Sequence, residues 1–395
     1  MDYPSQLRDR RNEVLAAASL PQDHAGFLER RYACMLARAG IRINGARPWD
    51  LRVHDPRFFR RLLWGGTLGL GDSYVEGWWD AARLDSFFER LIRARIDHGF
   101  FNLPRLLGDA AAALRNAQDR MRARRVGEVH YDLSNRFYAA MLDARMVYTC
   151  GYWREAKTLD AAQEAKLELV CEKIGLERGM RVLDVGCGWG SFARYAAEHY
   201  GAAVVGITIS REQAALAREH CRGLPVEIRE QDYRDVRERF DRVVSLGMFE
   251  HVGRKNYRTY FETARRCLAD DGLFLLHTIG LNEHGSGIDP WVTRHIFPNS
   301  EVPTLARVVA AIDRLFVVED LHNFGSDYAP TLLSWHANFE RHWPAFAAEF
   351  PSSFERLWKY YLLMFAGVFR GRGLHLWQFV LAPPHRPGAY RRPLR

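Results

Sequence analysis

The sequence predicts an α/β protein: a doubly wound, seven-stranded sheet covered by helices, preceded by a smaller, mainly helical amino-terminal domain. Two observations carry this expectation. From residue 180 onward, short apolar runs of strand length alternate with segments of helical period. A glycine-rich turn directly follows the first of those runs, where doubly wound folds bind their ligands.

The amino-terminal part is helical and aromatic by period and composition. Asp23 to Ala39 predicts an amphipathic helix ending at Gly40. Gly65 to Trp79 (GGTLGLGDSYVEGWW) is rich in glycine and aromatics and follows neither simple period. Ala110 to Arg125 predicts a helix that becomes strongly basic and breaks at Gly127. The domain boundary is placed there, giving an amino-terminal domain over 1–120 and a catalytic domain over 121–395. Strands follow at Met180–Gly186, Ala203–Ile209, Val226–Tyr233, Asp241–Met248 and Gly272–Ile279, with two more at Phe316–Leu321 and Leu374–Leu381. Helices are expected over Ser191–Tyr200, over Ser210–Arg222 with Ser210 as N-cap, and over Asn256–Leu268. The alternation argues a parallel sheet.

Composition narrows the function classes. The net charge is +8, and nearly all of the positive charge is arginine; lysine occurs only at positions 157, 166, 173, 255 and 359. The scarcity of lysine has two readings: a coding bias, and a use of guanidinium groups for phosphate recognition. The basic balance favours an anionic partner, a lipid headgroup layer or nucleic acid, but no RNA-binding module is recognisable. The six cysteines form no CxxC pair, and no metal site is expected. The amino terminus (MDYPSQLRDRRNEV) carries charges where a secretory signal needs an apolar core. No window offers the ~20 apolar residues of a membrane span; Tyr360–Phe369 is half that length. The expectation is a cytoplasmic protein that meets the inner membrane peripherally.

The strongest motif is Leu183–Ser191 (LDVGCGWGS), between a strand and a helix. Asp184 precedes glycines 186, 188 and 190 in a GxGxG spacing, whereas dinucleotide loops are usually GxGxxG. Glycines permit a tight turn and close approach to a ligand, and the helix N-terminus can receive a carboxylate. This setting favours S-adenosylmethionine over NAD and the class I methyltransferase variant of the fold. In Gly206–Gln213 (GITISREQ), Thr208 stands where an acid would hold ribose hydroxyls, with Gln213 as a polar substitute.

At this point the chain resembles the cyclopropane-fatty-acyl-phospholipid synthases. The resemblance rests on VYTCGYW at Val147–Trp153, LDVGCGWGS, GITIS, QDYRD at Gln231–Asp235, GMFEHVG at Gly247–Gly253, HTIG at His277–Gly280, DPW at Asp289–Trp291, IFPN at Ile296–Asn299 and DLHNFGSDY at Asp320–Tyr328. The amino-terminal GLGDSYVEGWW fits the longer, bacterial form, so nearly the whole chain is covered. The resemblance implies transfer of a methylene group from S-adenosylmethionine to the cis double bond of an unsaturated phospholipid acyl chain, through a carbocation that bound bicarbonate deprotonates. It implies that Glu250, His277 and Tyr328 hold the bicarbonate by side chain, with Cys150 and Ile279 contributing. It assigns cofactor contacts to Tyr148, Thr149, Asp184, Gly186, Gly188, Trp189, Gly190, Ser191, Thr208, Ser210, Gln213, Asp232 and Tyr233. It also implies a homodimer; with no RNA-binding module in the chain, no nucleic-acid partner is expected. One position departs: a cysteine reported in the family's late helix falls at Phe365.

The residue chemistry fits this implication. An alkene is a weak nucleophile, so its methylation needs close placement and exclusion of water. A cation formed there is protected by a dry aromatic pocket, and Tyr148, Tyr152, Trp153 and Phe249 sit in the motifs named. Structural readings stand beside these. Glu250–His251 also reads as a solvated turn, His277 as a satisfied core histidine, and Cys150 and Cys187 as small buried apolar residues. The early aromatics read as core. The remaining functional alternatives are methylation without ring closure, a small-molecule or nucleic-acid methyltransferase, and a non-catalytic lipid-surface protein.

Overall fold

A computed structural model describes residues 24–96, 134–282, 289–298 and 300–393. The predicted basic helix Ala110–Arg125 and the boundary at 120/121 lie outside the described residues.

The amino-terminal helices are α1 (His24–Ala37), α2 (Arg57–Val75) and α3 (Leu84–Arg93), with a two-stranded antiparallel ribbon of β1 (Arg52–Val53) and β2 (Trp79–Asp80). The segment without a clear period, Gly65–Trp79, is mostly the second half of α2. Gly66 breaks the helix with φ 53° and ψ −133°, and that kink is why no single period runs through it. Gly71 lets α2 approach α9 (Pro290–His295): a Cβ there would lie 2.3 Å from the ring of the fully buried Trp291.

The sheet holds β3 (Arg181–Val185), β4 (Ala203–Thr208), β5 (Val226–Glu230), β6 (Phe240–Leu246), β7 (Leu268–Gly280), β8 (Val317–Asn323) and β9 (His375–Ala382). Their order is β5-β4-β3-β6-β7-β9-β8, so the predicted seven strands form one sheet. The expectation of a parallel sheet needs one correction. β9 inserts between β7 and β8 and runs antiparallel to both. Two long helices, α11 (Tyr328–His342) and α12 (Phe354–Arg370), return the chain to the same end of the sheet at which β8 leaves it, where Asn323 pairs with Trp377, so the last strand enters reversed. α5 (Leu159–Lys173) leads into β3, and the crossover helices include α6 (Ser191–Tyr200), α7 (Arg211–His220), α8 (Tyr257–Cys267) and α10 (Leu305–Ile312). Ser210 caps α7 as expected, its Oγ accepting from the Gln213 N–H at 3.3 Å.

The helical layer is not built from the amino-terminal residues alone. One apolar core joins Leu28, Phe58, Trp79 and Phe87 to Tyr138 of α4 (Asn135–Met141), Trp335 of α11 and Tyr360 of α12. The early aromatics are therefore largely core. Ion pairs reinforce the junction: Arg370 reaches Asp85 at 2.7 Å and Glu89 at 2.5 Å, and Arg356 reaches Asp80 at 2.8 Å. Among the described residues no helix is long and apolar enough to cross a membrane.

Gly71→Ala tests the α2–α9 contact. Better helix propensity offsets only part of the clash with Trp291. Net destabilisation of about 1–2 kcal/mol is expected in chemical denaturation.

Candidate active site

The carboxyl ends of β3, β4 and β6 open into a cavity, as the fold demands. The loop after β3 turns through three left-handed glycines, with φ 81° at Gly186, 55° at Gly188 and 81° at Gly190. At Gly186 a Cβ would also meet Met248 at 2.7 Å. Tyr148, Thr149, Asp184, Gly186, Gly188, Trp189 and Ser191 line the cavity from one side; Thr208, Ser210, Gln213, Asp232 and Tyr233 line it from the other. Gly190 is the exception among the sequence-predicted residues. It stands behind the loop, 3.1–3.2 Å in Cβ distance from Cys221 and Ala217, and lets α6 pack on α7.

Local bonds show how these groups are held. Thr208 Oγ1 lies 3.1 Å from Gln213 Oε1, to which it donates, and accepts from the Ser210 N–H at 3.2 Å. That leaves the amide NH₂ of Gln213 as its donor towards a ligand. Asp232 spends its carboxylate on Arg234, at 2.8 and 2.6 Å. Trp189 donates to Asn135 at 2.9 Å, and the Tyr148 hydroxyl meets Tyr361 of α12 at 2.9 Å. Asp184 is buried with Oδ2 unpartnered, and burial pushes its carboxyl up to about 7.

A second group gathers at the ends of β6 and β7. Glu250 follows β6, and its Oε1 accepts from the Ile279 backbone N–H at 2.7 Å. Ile279 thus acts through its backbone. Glu250 Oε2 is buried without a partner, and desolvation raises this carboxyl to about 7. His277 on β7 is buried, its Nδ1 lies 3.2 Å from Gln378 Nε2, and its Nε2 has no partner. Burial, helped by Lys166 and Lys173, keeps its ring neutral, well below the usual imidazole range. Tyr328 is buried at the start of α11, where Tyr361, Cys150 and Glu250 all add to the cost of ionising it. Its ring packs on Phe369 at 4.5 Å. Cys150 is fully buried, its thiol donates to Gly151 O at 3.2 Å, and burial pushes it well above the usual thiol range. It is therefore no nucleophile. The readings of Glu250 as a solvated turn and His277 as a satisfied core residue fail on the same ground: both are buried, each with a polar atom that has no hydrogen-bond partner.

The model of the mycolic acid cyclopropane synthetase family matches residues 118–379. The chain belongs to that family. It is 49% identical over 352 residues to the cyclopropane-fatty-acyl-phospholipid synthase of Escherichia coli K12, covering 88% of this chain and 91% of the relative. The solved cyclopropane synthase MmaA2 of Mycobacterium tuberculosis superposes with a TM-score of 0.62 at 32% identity, over 68% of this chain and all of that one. The mycolic acid cyclopropane synthase CmaA1, solved with SAH and CTAB, gives 0.60 at 33% identity over 65% of this chain and 97% of its own. This member of the family is an S-adenosylmethionine-dependent methyltransferase with the class I fold.

Sequence reasoning missed one polar residue of the cavity wall and one that stands behind it. Lys166, on α5, is fully buried and lines the cavity; its Nζ donates to Thr149 Oγ1 at 2.9 Å. Gln163 donates to Thr149 O at 2.8 Å. Together they orient Thr149. Burial lowers the lysine to about 8, against the pull of Asp143, Cys150 and Asp184. The signal was present: in a chain that otherwise uses arginine, the few lysines left are candidates for sites where arginine does not fit. Phe365, the departure from the family pattern, is half-buried between Tyr361 and Phe369, with ring centroids at 5.5 and 6.4 Å. It extends the aromatic wall that touches Tyr148 and Tyr328.

Glu250→Gln separates function from stability. The wild-type carboxyl is raised in the fold from 4.5 to about 7, so its contribution is intact below pH 4.5 and is lost as pH rises through 7. The glutamine does not titrate and still accepts from Ile279. Denaturation midpoints are expected to match near pH 4.5 and to favour the variant above pH 7.

Proposed function

We propose that this enzyme transfers a methylene group from S-adenosylmethionine to the cis double bond of an unsaturated phospholipid acyl chain, forming a cyclopropane. The observation that carries the reading is the pair of buried, unpartnered atoms, Glu250 Oε2 and His277 Nε2, beside an aromatic wall and the cofactor cavity. Orphaned buried polar atoms are rare and costly, and a small oxyanion would satisfy them. With Tyr328 they offer the donors such an ion needs, since a carboxyl raised to about 7 can itself carry a proton. The donor set fits bicarbonate. Bicarbonate, when bound, supplies a base that the protein's own groups do not.

The chain's residues have definite tasks in this scheme. The glycine loop, Gln213 and Thr208 bind the methyl donor, and Thr149, held by Lys166 and Gln163, borders it. Tyr148, Tyr361, Phe365 and Phe369 exclude water from the alkene and face the cation formed when the methyl is transferred. Glu250, His277 and Tyr328 would hold the oxyanion, which would supply the base for the proton lost on ring closure. The E. coli relative, a cyclopropane-fatty-acyl-phospholipid synthase by name, supports the same substrate class.

The membrane surface belongs to the proposal too. Phe27 and Trp64 are 59% and 57% exposed, with Arg30, Arg31, Arg60 and Arg61 beside them in sequence. Apolar rings with flanking cations suit the headgroup layer of an anionic leaflet. The basic residues Arg120, Arg122, Arg124 and Arg125, expected to help, lie outside the described residues. A homodimer on the cytoplasmic face of the inner membrane completes the reading.

The test is incubation with labelled S-adenosylmethionine and vesicles of unsaturated phospholipid. A mass gain of one CH₂ with loss of the double bond is expected; a branched methyl, or transfer only to a small molecule or RNA, overturns the reading. Tyr328→Phe is expected to lower turnover at least about tenfold while leaving S-adenosylmethionine affinity unchanged. Vesicle binding is expected to weaken with salt and on Trp64→Ala.

A further inference from the structure

Behind His277 lies a second buried polar row that no step of the reaction touches. His277 on β7 and His322 on β8 both stand in register with Gln378 of the intervening β9. Alternation along the strands therefore puts the three side chains on one face of the sheet. Lys173, the last residue of α5, reaches into this row. Its Nζ donates to Gln378 Oε1 at 2.7 Å, and lies 3.2 Å from His322 Nδ1 and 3.5 Å from Asp320 Oδ2. Lys173, Gln378, Asp320 and His277 are all buried.

The donor inventory of this row leaves one arrangement. An ammonium group only donates, so the amide atom facing Lys173 is the oxygen. The amide NH₂ of Gln378 then faces His277, and it too can only donate, so Nδ1 accepts. A neutral imidazole has one N–H, which must sit on Nε2, the atom with no partner in the protein. Asp320, also 3.0 Å from Arg392, offsets the buried lysine charge.

We infer that Lys173 and Gln378, with Asp320, are positioning residues that lock His277 in the tautomer carrying its proton on Nε2, as a hydrogen-bond donor to the reaction's anion. The inference rests on the reading that His277 helps hold that anion. A histidine free to adopt the other tautomer would present a lone pair to a negative ligand, and binding would require a second proton. The lysine has a reason to be a lysine: a compact point charge reaches three acceptors in a space that a planar guanidinium fork does not share. Two of the chain's five lysines, Lys166 and Lys173, are fully buried in this way.

The experiment uses the full chain labelled with ¹⁵N-histidine. Long-range ¹H–¹⁵N correlation spectra report the tautomer, with His277 assigned by its loss in His277→Gln. At pH 7 His277 is expected neutral with the proton on Nε2. Gln378→Glu, which offers an acceptor to Nδ1, is expected to move the proton to Nδ1 or create an imidazolium. Turnover should then fall about 10- to 100-fold, the range typical when a ligand histidine loses its orienting partner, with S-adenosylmethionine affinity unchanged. Lys173→Met, which frees the amide to flip, is expected to give a mixture of tautomers. Wild-type His277 found with its proton on Nδ1, or as imidazolium, overturns the relay whatever the activity. The Nε2–H tautomer together with full turnover in His277→Ala overturns the anion reading while leaving the tautomer lock in place.

Discussion

Desolvation at the carboxyl end of the sheet is the constraint on which the rest of this structure depends. Asp184, Glu250, His277 and Lys166 are all buried there, and burial moves every one of them towards its neutral form. In water these groups would be spread over a wide range of protonation behaviour. In the fold the two carboxyls and the lysine converge on the neutral range, and the histidine is neutral throughout it. The proposed reaction, in which a carbocation forms beside them, needs this dryness, because water would capture the cation. The same dryness leaves polar atoms without partners, a cost the protein carries at its site and offsets elsewhere in its core.

What keeps the site dry is an aromatic layer drawn from three separated parts of the chain. Tyr138 and Tyr148 come from the segment before the sheet, Trp335 from α11, and Tyr361, Phe365 and Phe369 from α12. The hydroxyl pair Tyr148–Tyr361 ties this layer to the cofactor cavity. The amino-terminal helices hold it in place through a shared core and the ion pairs of Arg356 and Arg370. Phe365, where the resemblance led to the expectation of a cysteine, makes chemical sense in this layer: the wall needs a ring, and nothing in the proposed chemistry needs a thiol.

Much of this was legible in the residues. Strand and helix periods located all seven strands of the sheet; the inner ones, such as β3, β4 and β9, are covered on both faces and read as near-continuous apolar runs. The GxGxG loop announced its own geometry, since glycine with positive φ has few other uses in such a turn. Where the reading ran out, a long-range placement was involved. The kink at Gly66 hid α2, the reversed β9 followed from how α11 and α12 return, and the packing of Gly190 against α7 came from the tertiary fold.

The sequence by itself determined the fold class, the cofactor loop and the residue types of the site, because those are written in local period, spacing and side-chain chemistry. Only the tertiary structure decided which of those side chains are desolvated and which are satisfied. Glu250, His277 and Asp184 have the same donors and acceptors in any conformation. Their unpartnered atoms and shifted protonation arise from what packs around them, and Lys166 and Lys173, marked in the sequence only by the rarity of lysine, gain their roles when the sheet and α5 bury them. Burial is a property of the whole packed chain, and no local stretch of residues carries it.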